Sequence, residues 1–151
     1  MSGARANMSV RLVFGRRLDR PRKARHDAGM VDSYVERAVA AMKRHPSRRW
    51  TVAELARVAG LSRAPFARRF ERAMGTSPLR YLTDLRLRLA AARLVTSDAR
   101  LAEIAFEVGY ATEFSFAKAF RRTYGVAPGV FRRCAWTATT ALTRASLLRA
   151  A

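Results

Sequence analysis

Thiols, imidazoles and acids are scarce in this sequence, and each scarcity closes off a class of function. There is one cysteine, Cys134, so no internal disulfide forms. The two histidines, His26 and His45, lie far apart in sequence and near no acidic or thiol cluster. Metal-ligand spacing is therefore absent, and no metal or other cofactor is expected. No Ser/His/Asp set and no paired catalytic carboxylates are present. Cys134 follows Arg133 but has no histidine or acid beside it to hold a proton, as an alkyl-accepting repair enzyme would need. The expectation is a non-enzyme. No apolar run approaches the roughly 20 residues that span a bilayer. The N-terminus lacks the continuous apolar stretch of a secretory signal. A soluble intracellular protein without a membrane partner is expected.

The shortage of acids has a positive side. Eleven Asp and Glu stand against 30 Lys and Arg, a formal net charge of +19. The excess is +6 in residues 1–30, +3 in 31–50, +8 in 51–133 and +2 in 134–151, so it is not the property of one tail. A basic fold, as opposed to a basic arm, suits a polyanionic partner. The plainer account is a basic protein from an Arg-rich proteome.

The chain also states one pattern twice. Ala53-Glu54-Leu55-Ala56 and Gly60-Leu61 recur as Ala102-Glu103-Ile104-Ala105 and Gly109-Tyr110, an offset of 49. Phe66, Phe70, Gly75, Pro78 and Tyr81 recur as Phe116, Phe120, Gly125, Pro128 and Phe131, an offset of 50. Anchors this distinct mean one supersecondary unit used twice.

Local signals place helices on the pattern. Tyr34, Val35, Ala38, Val39 and Met42 line one helical face, which ends at His45-Pro46 because a residue before proline avoids the helical region. Thr51 and Glu54 make a capping box, with Trp50 and Leu55 placed as its hydrophobic staple. That helix stops at Gly60, and Ser62 is the next N-cap. Pro65 stands at the third helical position, where a missing N–H costs nothing. Gly75 ends this helix. Ser77-Pro78 starts a long one over about 78–95, with Leu79, Leu82, Leu85, Leu89 and Ala92 as its apolar stripe. After a polar turn the second unit repeats the plan: a helix over 101–107, Gly109, Thr112 as N-cap, a helix over 113–123, Gly125, and a short helix from Pro128. The predicted division is a basic, disordered arm over 1–30, a bilobed domain over 31–133 (31–77, the linking helix 78–95, and 96–133), and a tail over 134–151 that is weakly helical from about Thr139.

Each repeat is a short helix, a glycine-containing turn and a second helix with a basic exposed face. This is the plan of a helix-turn-helix, whose second helix enters the DNA major groove. On the residues Leu55-Ala56, Leu61-Ser62, Phe66, Arg68, Phe70, Gly75, Ser77-Pro78 and Tyr81-Leu82, the first repeat resembles the DNA-binding region of the AraC/XylS family of bacterial transcription regulators. The second repeat carries more of the resemblance, in Glu103-Ile104-Ala105, Val108-Gly109-Tyr110, Phe116, Phe120-Arg121-Arg122, Tyr124-Gly125 and Pro128. Arg86-Leu87, Ala90 to Ala92 and Leu94 match in the linking helix. The resemblance covers about 31–133. It implies an all-α, homeodomain-like fold of about seven helices, with two helix-turn-helix lobes joined by a long helix. It also implies a cytoplasmic, nucleoid-associated regulator of transcription, an activator in the main, working near RNA polymerase.

Helical geometry then sorts the residues. Phe66 and Phe70 face the first core, which leaves Arg63, Ala64, Ala67 and Arg68 as the base-reading positions, beside Glu71. A guanidinium can bond both acceptors of guanine, so Arg68 is the best reader there. Ala64 and Ala67 touch only a thymine methyl or permit close approach. The family often has bulkier or polar residues at such sites, which implies modest discrimination by this lobe. Phe116 and Phe120 face the second core, leaving Glu113, Phe114, Ala117 and Lys118 to read, with Lys118 the repeat partner of Arg68. Glu113 either accepts from a cytosine amine or merely caps its helix. Phe114 either touches a thymine methyl or folds back onto the lobe, the latter being the expectation. Phosphate contacts are assigned to Arg72, Arg80, Arg121, Arg122, Arg132 and Arg133, and to the helix starts at Thr51 and Leu101. The partner expected is double-stranded DNA, bound by a monomer at an asymmetric site of about two helical turns. Arg16, Arg17, Arg22, Lys23 and Arg25 of the arm add salt-sensitive attraction. Thirty N-terminal residues cannot form the sensing domain that family members carry. The chain is thus expected to be a small stand-alone regulator, or else a non-specific or inactive remnant of a longer one.

Overall fold

Side-chain hydrogen bonds fix where several helices begin, and glycines fix where several of them end. The computed structural model describes residues 32–137, and every regular element in that span is a helix. The arm, and the tail beyond residue 137 with its expected helix from Thr139, lie outside the described residues.

Helix α1 runs Ser33–Arg44, started by Asp32, whose carboxylate accepts from the Tyr34 amide at 3.1 Å. Helix α2, Val52–Ala59, has the predicted capping box. The Glu54 amide donates to Thr51 Oγ1 at 3.1 Å, and the Thr51 amide donates back to Glu54 Oε2 at 2.8 Å. Trp50 and Leu55 are both buried in one cluster, as the staple requires. Helix α3 is Arg63–Met74, α4 is Pro78–Thr96, α5 is Leu101–Glu107, and α6 is Glu113–Tyr124. Helix α7 starts at 128 and continues to 137, beyond the 133 at which the sequence reading ends the second lobe, because Ala135 is fully buried.

The turn that follows α2 and the turn that follows α5 have the same bonds. The Leu61 amide donates to the Ala56 carbonyl at 2.9 Å and the Gly60 amide to Arg57 at 3.0 Å. In the second repeat Tyr110 donates to Ala105 at 2.8 Å and Gly109 to Phe106 at 3.0 Å. This crossed pair is the Schellman arrangement, which needs a left-handed residue in the turn. Gly60 and Gly109 supply it, at φ of 79° and 94°. A side chain at either position strains the backbone.

Helix starts differ between the repeats. Thr112 accepts from the Ser115 amide at 3.1 Å, as predicted. Ser62 has the extended backbone of an N-cap, yet its side chain makes no capping bond. The amide three residues on belongs to Pro65, which has no hydrogen to give.

The chain divides into two units within α4, between Arg86 and Leu87. The first buries Val35, Ala38 and Met42 of α1, Leu55, Ala56 and Ala59 of α2, Phe66 and Phe70 of α3, and Leu82 and Leu85 of α4. Arg86 ties its loop down: Nε donates to the Pro46 carbonyl at 2.7 Å and Nη2 to the Arg48 carbonyl at 2.8 Å. The second unit buries Leu87, Ala90, Ala91 and Leu94 of α4, Ile104 and Ala105 of α5, Phe116, Phe120 and Tyr124 of α6, and Phe131 and Ala135 of α7. Here Arg93 and Glu107 form a two-pronged ion pair, 2.9 Å on each prong. The stripe expected on α4 is thus only partly the buried set. Leu79, Leu89 and Ala92 are exposed, because one helix serves two cores and no single period describes it.

Two carboxyls titrate low. The Thr51 amide and hydroxyl, and Arg48 at 3.1 Å, hold Glu54 below its ordinary value of 4.5. The Arg93 guanidinium does the same for Glu107. Each therefore contributes stability that is complete at neutral pH and fades as pH falls from the ordinary carboxylate value through the depressed one. Thermal melts should give a constant Tm from pH 8 to 5 and a falling Tm below the ordinary 4.5, with the fall reduced in Glu54→Gln. An acid slope unchanged in that variant would refute the assignment to Glu54.

Candidate nucleic-acid interface

On α3, the core phenylalanines set the orientation of everything else. Phe66 and Phe70 are fully buried, 5.6 Å apart, with Tyr81 edge-on to Phe70 at 5.7 Å. The opposite face carries Arg63, Ala64 and Arg68, all exposed, with Ala67 half-buried among them. Neither Arg63 nor Arg68 has a hydrogen-bond or ion-pair partner among the described residues. Arg69 is occupied, 3.5 Å from Asp32 Oδ2 and stacked 5.2 Å from the Tyr34 ring. The positive charge on α3 is therefore divided between one side chain that braces the unit and others that stand in solvent.

The same plan holds on α6. Phe116 and Phe120 are fully buried at 5.6 Å, and Glu113, Phe114 and Lys118 are exposed, with Ala117 half-buried. Phe114 does not fold back onto its lobe as expected: it is 78 % exposed, more than any other large apolar side chain described. The reason is its position between the outward Glu113 and the outward Ser115, on the side of α6 away from Phe116. Glu113 does not supply the cap; Thr112 does.

The residues expected on phosphates separate into three groups. Arg72, Arg80, Arg121, Arg122 and Arg133 are exposed and unpaired among the described residues. Thr51 is engaged: its amide and its hydroxyl both bond Glu54, at 2.8 and 2.9 Å. A phosphate at that helix start would meet a carboxylate held in its charged form. The start of α5 is alike, with the Arg100 amide on Glu103 Oε2 at 2.9 Å. Arg132 has a different task from the one expected of it. Its Nη2 donates to the Ala99 carbonyl at 2.6 Å and its Nε is buried, so it ties α7 to the turn before α5. Arg86 and the Arg93–Glu107 pair also hold their units, and the sequence assigns them no role: Arg86 bonds backbone carbonyls, which leave no mark in a sequence, and Arg93 pairs with a carboxylate 14 residues away.

The remaining chemistry is limited. No group of three or more His, Cys, Asp or Glu among the described residues is placed to hold a metal ion. No described helix is long and apolar enough to cross a membrane.

Comparison with known proteins agrees with this geometry. A family profile described as a helix-turn-helix domain matches residues 55–134. The chain is 44 % identical over 106 residues to a putative AraC-like transcription regulator of Streptomyces lividans, covering 70 % of this chain and 35 % of that protein. It is 47 % identical over 87 residues to the RCS-specific HTH-type transcriptional activator RclR of Escherichia coli K12, covering 58 % and 31 %. The chain thus spans about a third of the length of these curated relatives. Among solved structures, the C-terminal domain of AraT, a response regulator from Geobacillus stearothermophilus, superposes with a TM-score of 0.64 at 32 % identity, covering 66 % of this chain and 84 % of that one. The DNA-binding domain of the global transcriptional factor AdpA, solved with a target DNA, gives 0.64 at 33 % identity, covering 68 % and 92 %. With two equivalent helix-turn-helix units, each presenting an exposed cationic helix, this chain belongs to the AraC/XylS family of transcription regulators and carries that family's DNA-binding domain.

Proposed function

We propose that the chain activates transcription by reading two adjacent major-groove segments, one with α3 and one with α6. The observation that carries this reading is a repeated one. Two helices follow the same Schellman turn, bury the same pair of phenylalanines, and present a cation at the same outward position, Arg68 and Lys118. A helix delivered in this way is what the major groove admits. Arg63, Ala64, Ala67 and Arg68 form the first reading face, and Glu113, Phe114, Ala117 and Lys118 the second. Arg72, Arg80, Arg121, Arg122 and Arg133 hold phosphates and set register without reading sequence. The protein binds as a monomer in the cytoplasm, at the nucleoid, and meets RNA polymerase there.

Selection of bound duplexes from a random pool tests the reading. Two unlike half-sites about 10 bp apart are expected. No enriched motif, with binding that depends on salt alone, would leave a non-specific binder instead. Within an enriched site, Arg68→Ala should cost about 1–3 kcal/mol and relax preference at one base pair. Equal weakening on all sequences would make Arg68 a phosphate contact.

A further inference from the structure

Phe114 has no structural employment. It is 78 % exposed at the second position of α6, while the neighbouring Phe116 and Phe120 are fully buried. Its place is well defined. Thr112 Oγ1 accepts from the Ser115 amide at 3.1 Å and Ser115 Oγ donates to the Thr112 carbonyl at 2.9 Å, which locks the first turn. One turn further along the same outward face stand Ala117, too short to shield the ring, and Lys118. The corresponding residue of the first repeat is Ala64, so only the second unit carries this ring.

The chemistry around Phe114 selects its partner. The residue before it is Glu113, exposed and unpaired among the described residues, whose charge repels phosphate. On DNA, a first turn carrying that carboxylate suits base edges better than the phosphate backbone. The apolar group that base edges offer in the major groove is a methyl on C5 of a pyrimidine. We infer that Phe114 is a specificity-determining residue that recognises a pyrimidine C5-methyl group in the second half-site. The inference rests on the proposal that α6 reads the major groove. Two bases present that methyl, thymine and 5-methylcytosine, and a reader of the methyl responds to either. Binding of this chain would then respond to cytosine methylation of its site.

The test uses the full chain and a duplex enriched by selection. Each thymine is replaced in turn by deoxyuridine, which removes one methyl and nothing else. Wild type should lose about fourfold in affinity at one position, the worth of one buried methyl-sized group. At that position, with cytosine substituted, adding the 5-methyl group should return about the same factor. Phe114→Ala should bind uracil and thymine duplexes alike, and methylated and unmethylated ones alike, with an unchanged melting curve. A uracil effect without a methylcytosine effect confines recognition to thymine and overturns the methylation response. A uracil effect of equal size in Phe114→Ala, or none at any position of a duplex with a defined motif, overturns the inference and leaves the proposed function standing. If selection enriches no motif, both fall together.

Discussion

Phe120→Ala should lower stability by about 3–5 kcal/mol, the largest loss expected from any single change outside the backbone turns. The ring is fully buried and has three aromatic neighbours in its own unit: Tyr124 at 4.4 Å, Phe131 at 5.2 Å and Phe116 at 5.6 Å between centroids. Edge-on and tilted rings at these distances add to the area they bury. Removing the middle ring leaves the others facing a void that close-packed helices cannot fill. A domain of this size has only about 5–15 kcal/mol to lose. Urea titration should show the midpoint fall steeply, while Phe114→Ala, six residues earlier on the same helix and exposed, stays within about 0.5 kcal/mol of wild type. A loss under about 1 kcal/mol for Phe120→Ala would mean that the aromatic cluster is not the core of the second unit.

Arg86→Ala and Arg132→Ala should each destabilise by about 2–3 kcal/mol, unusually large for arginines in so basic a chain. Arg86 donates to two backbone carbonyls, at Pro46 and Arg48, and Arg132 to one, at Ala99. Those carbonyls sit in loops ahead of α2 and α5, where no helix or strand offers them a donor. Losing the guanidinium leaves the Pro46 and Ala99 carbonyls unpaired and the Arg48 carbonyl with the Trp50 amide alone, and lets the loop move. The second part of the expectation concerns DNA. For a phosphate contact such as Arg122, alanine should reduce the slope of log affinity against log salt by about one. Arg132→Ala should leave that slope unchanged. A reduced slope with normal stability would return Arg132 to the phosphate group.

The contrast between these arginines shows what the sequence could and could not convey. Thr51 with Glu54, Gly60 and Gly109 with their turns, and Thr112 act within three to five residues of themselves, so spacing alone places them. The paired phenylalanines are legible because helical periodicity and the repeat agree on them. Arg132 and Arg86 act on carbonyls 33 to 40 residues away. Aligning the repeats hides them further, since Arg132 falls opposite Leu82, and Arg86 opposite Trp136. Ser62 reads as a cap until the absent N–H of Pro65 is counted. The buried set of α4 departs from the expected stripe for a related reason: Leu82 and Leu85 belong to one core, and Leu87, Ala90 and Leu94 to another.

That last feature limits how the chain can be taken apart. Domains usually part at exposed linkers, where a cut or an insertion is tolerated. Here the boundary falls between Arg86 and Leu87, in the middle of a continuous helix. A chain stopped at Arg86 would end in carbonyls stripped of their donors, one residue after a leucine its core needs. An extra residue at the junction would turn every later position of α4 by about 100°. The two repeats are therefore joined by a splice that tolerates exchange only in register: a piece swapped at that seam must keep the residue count of the helix, and a cut or a one-residue insertion there disturbs the helix that both cores share.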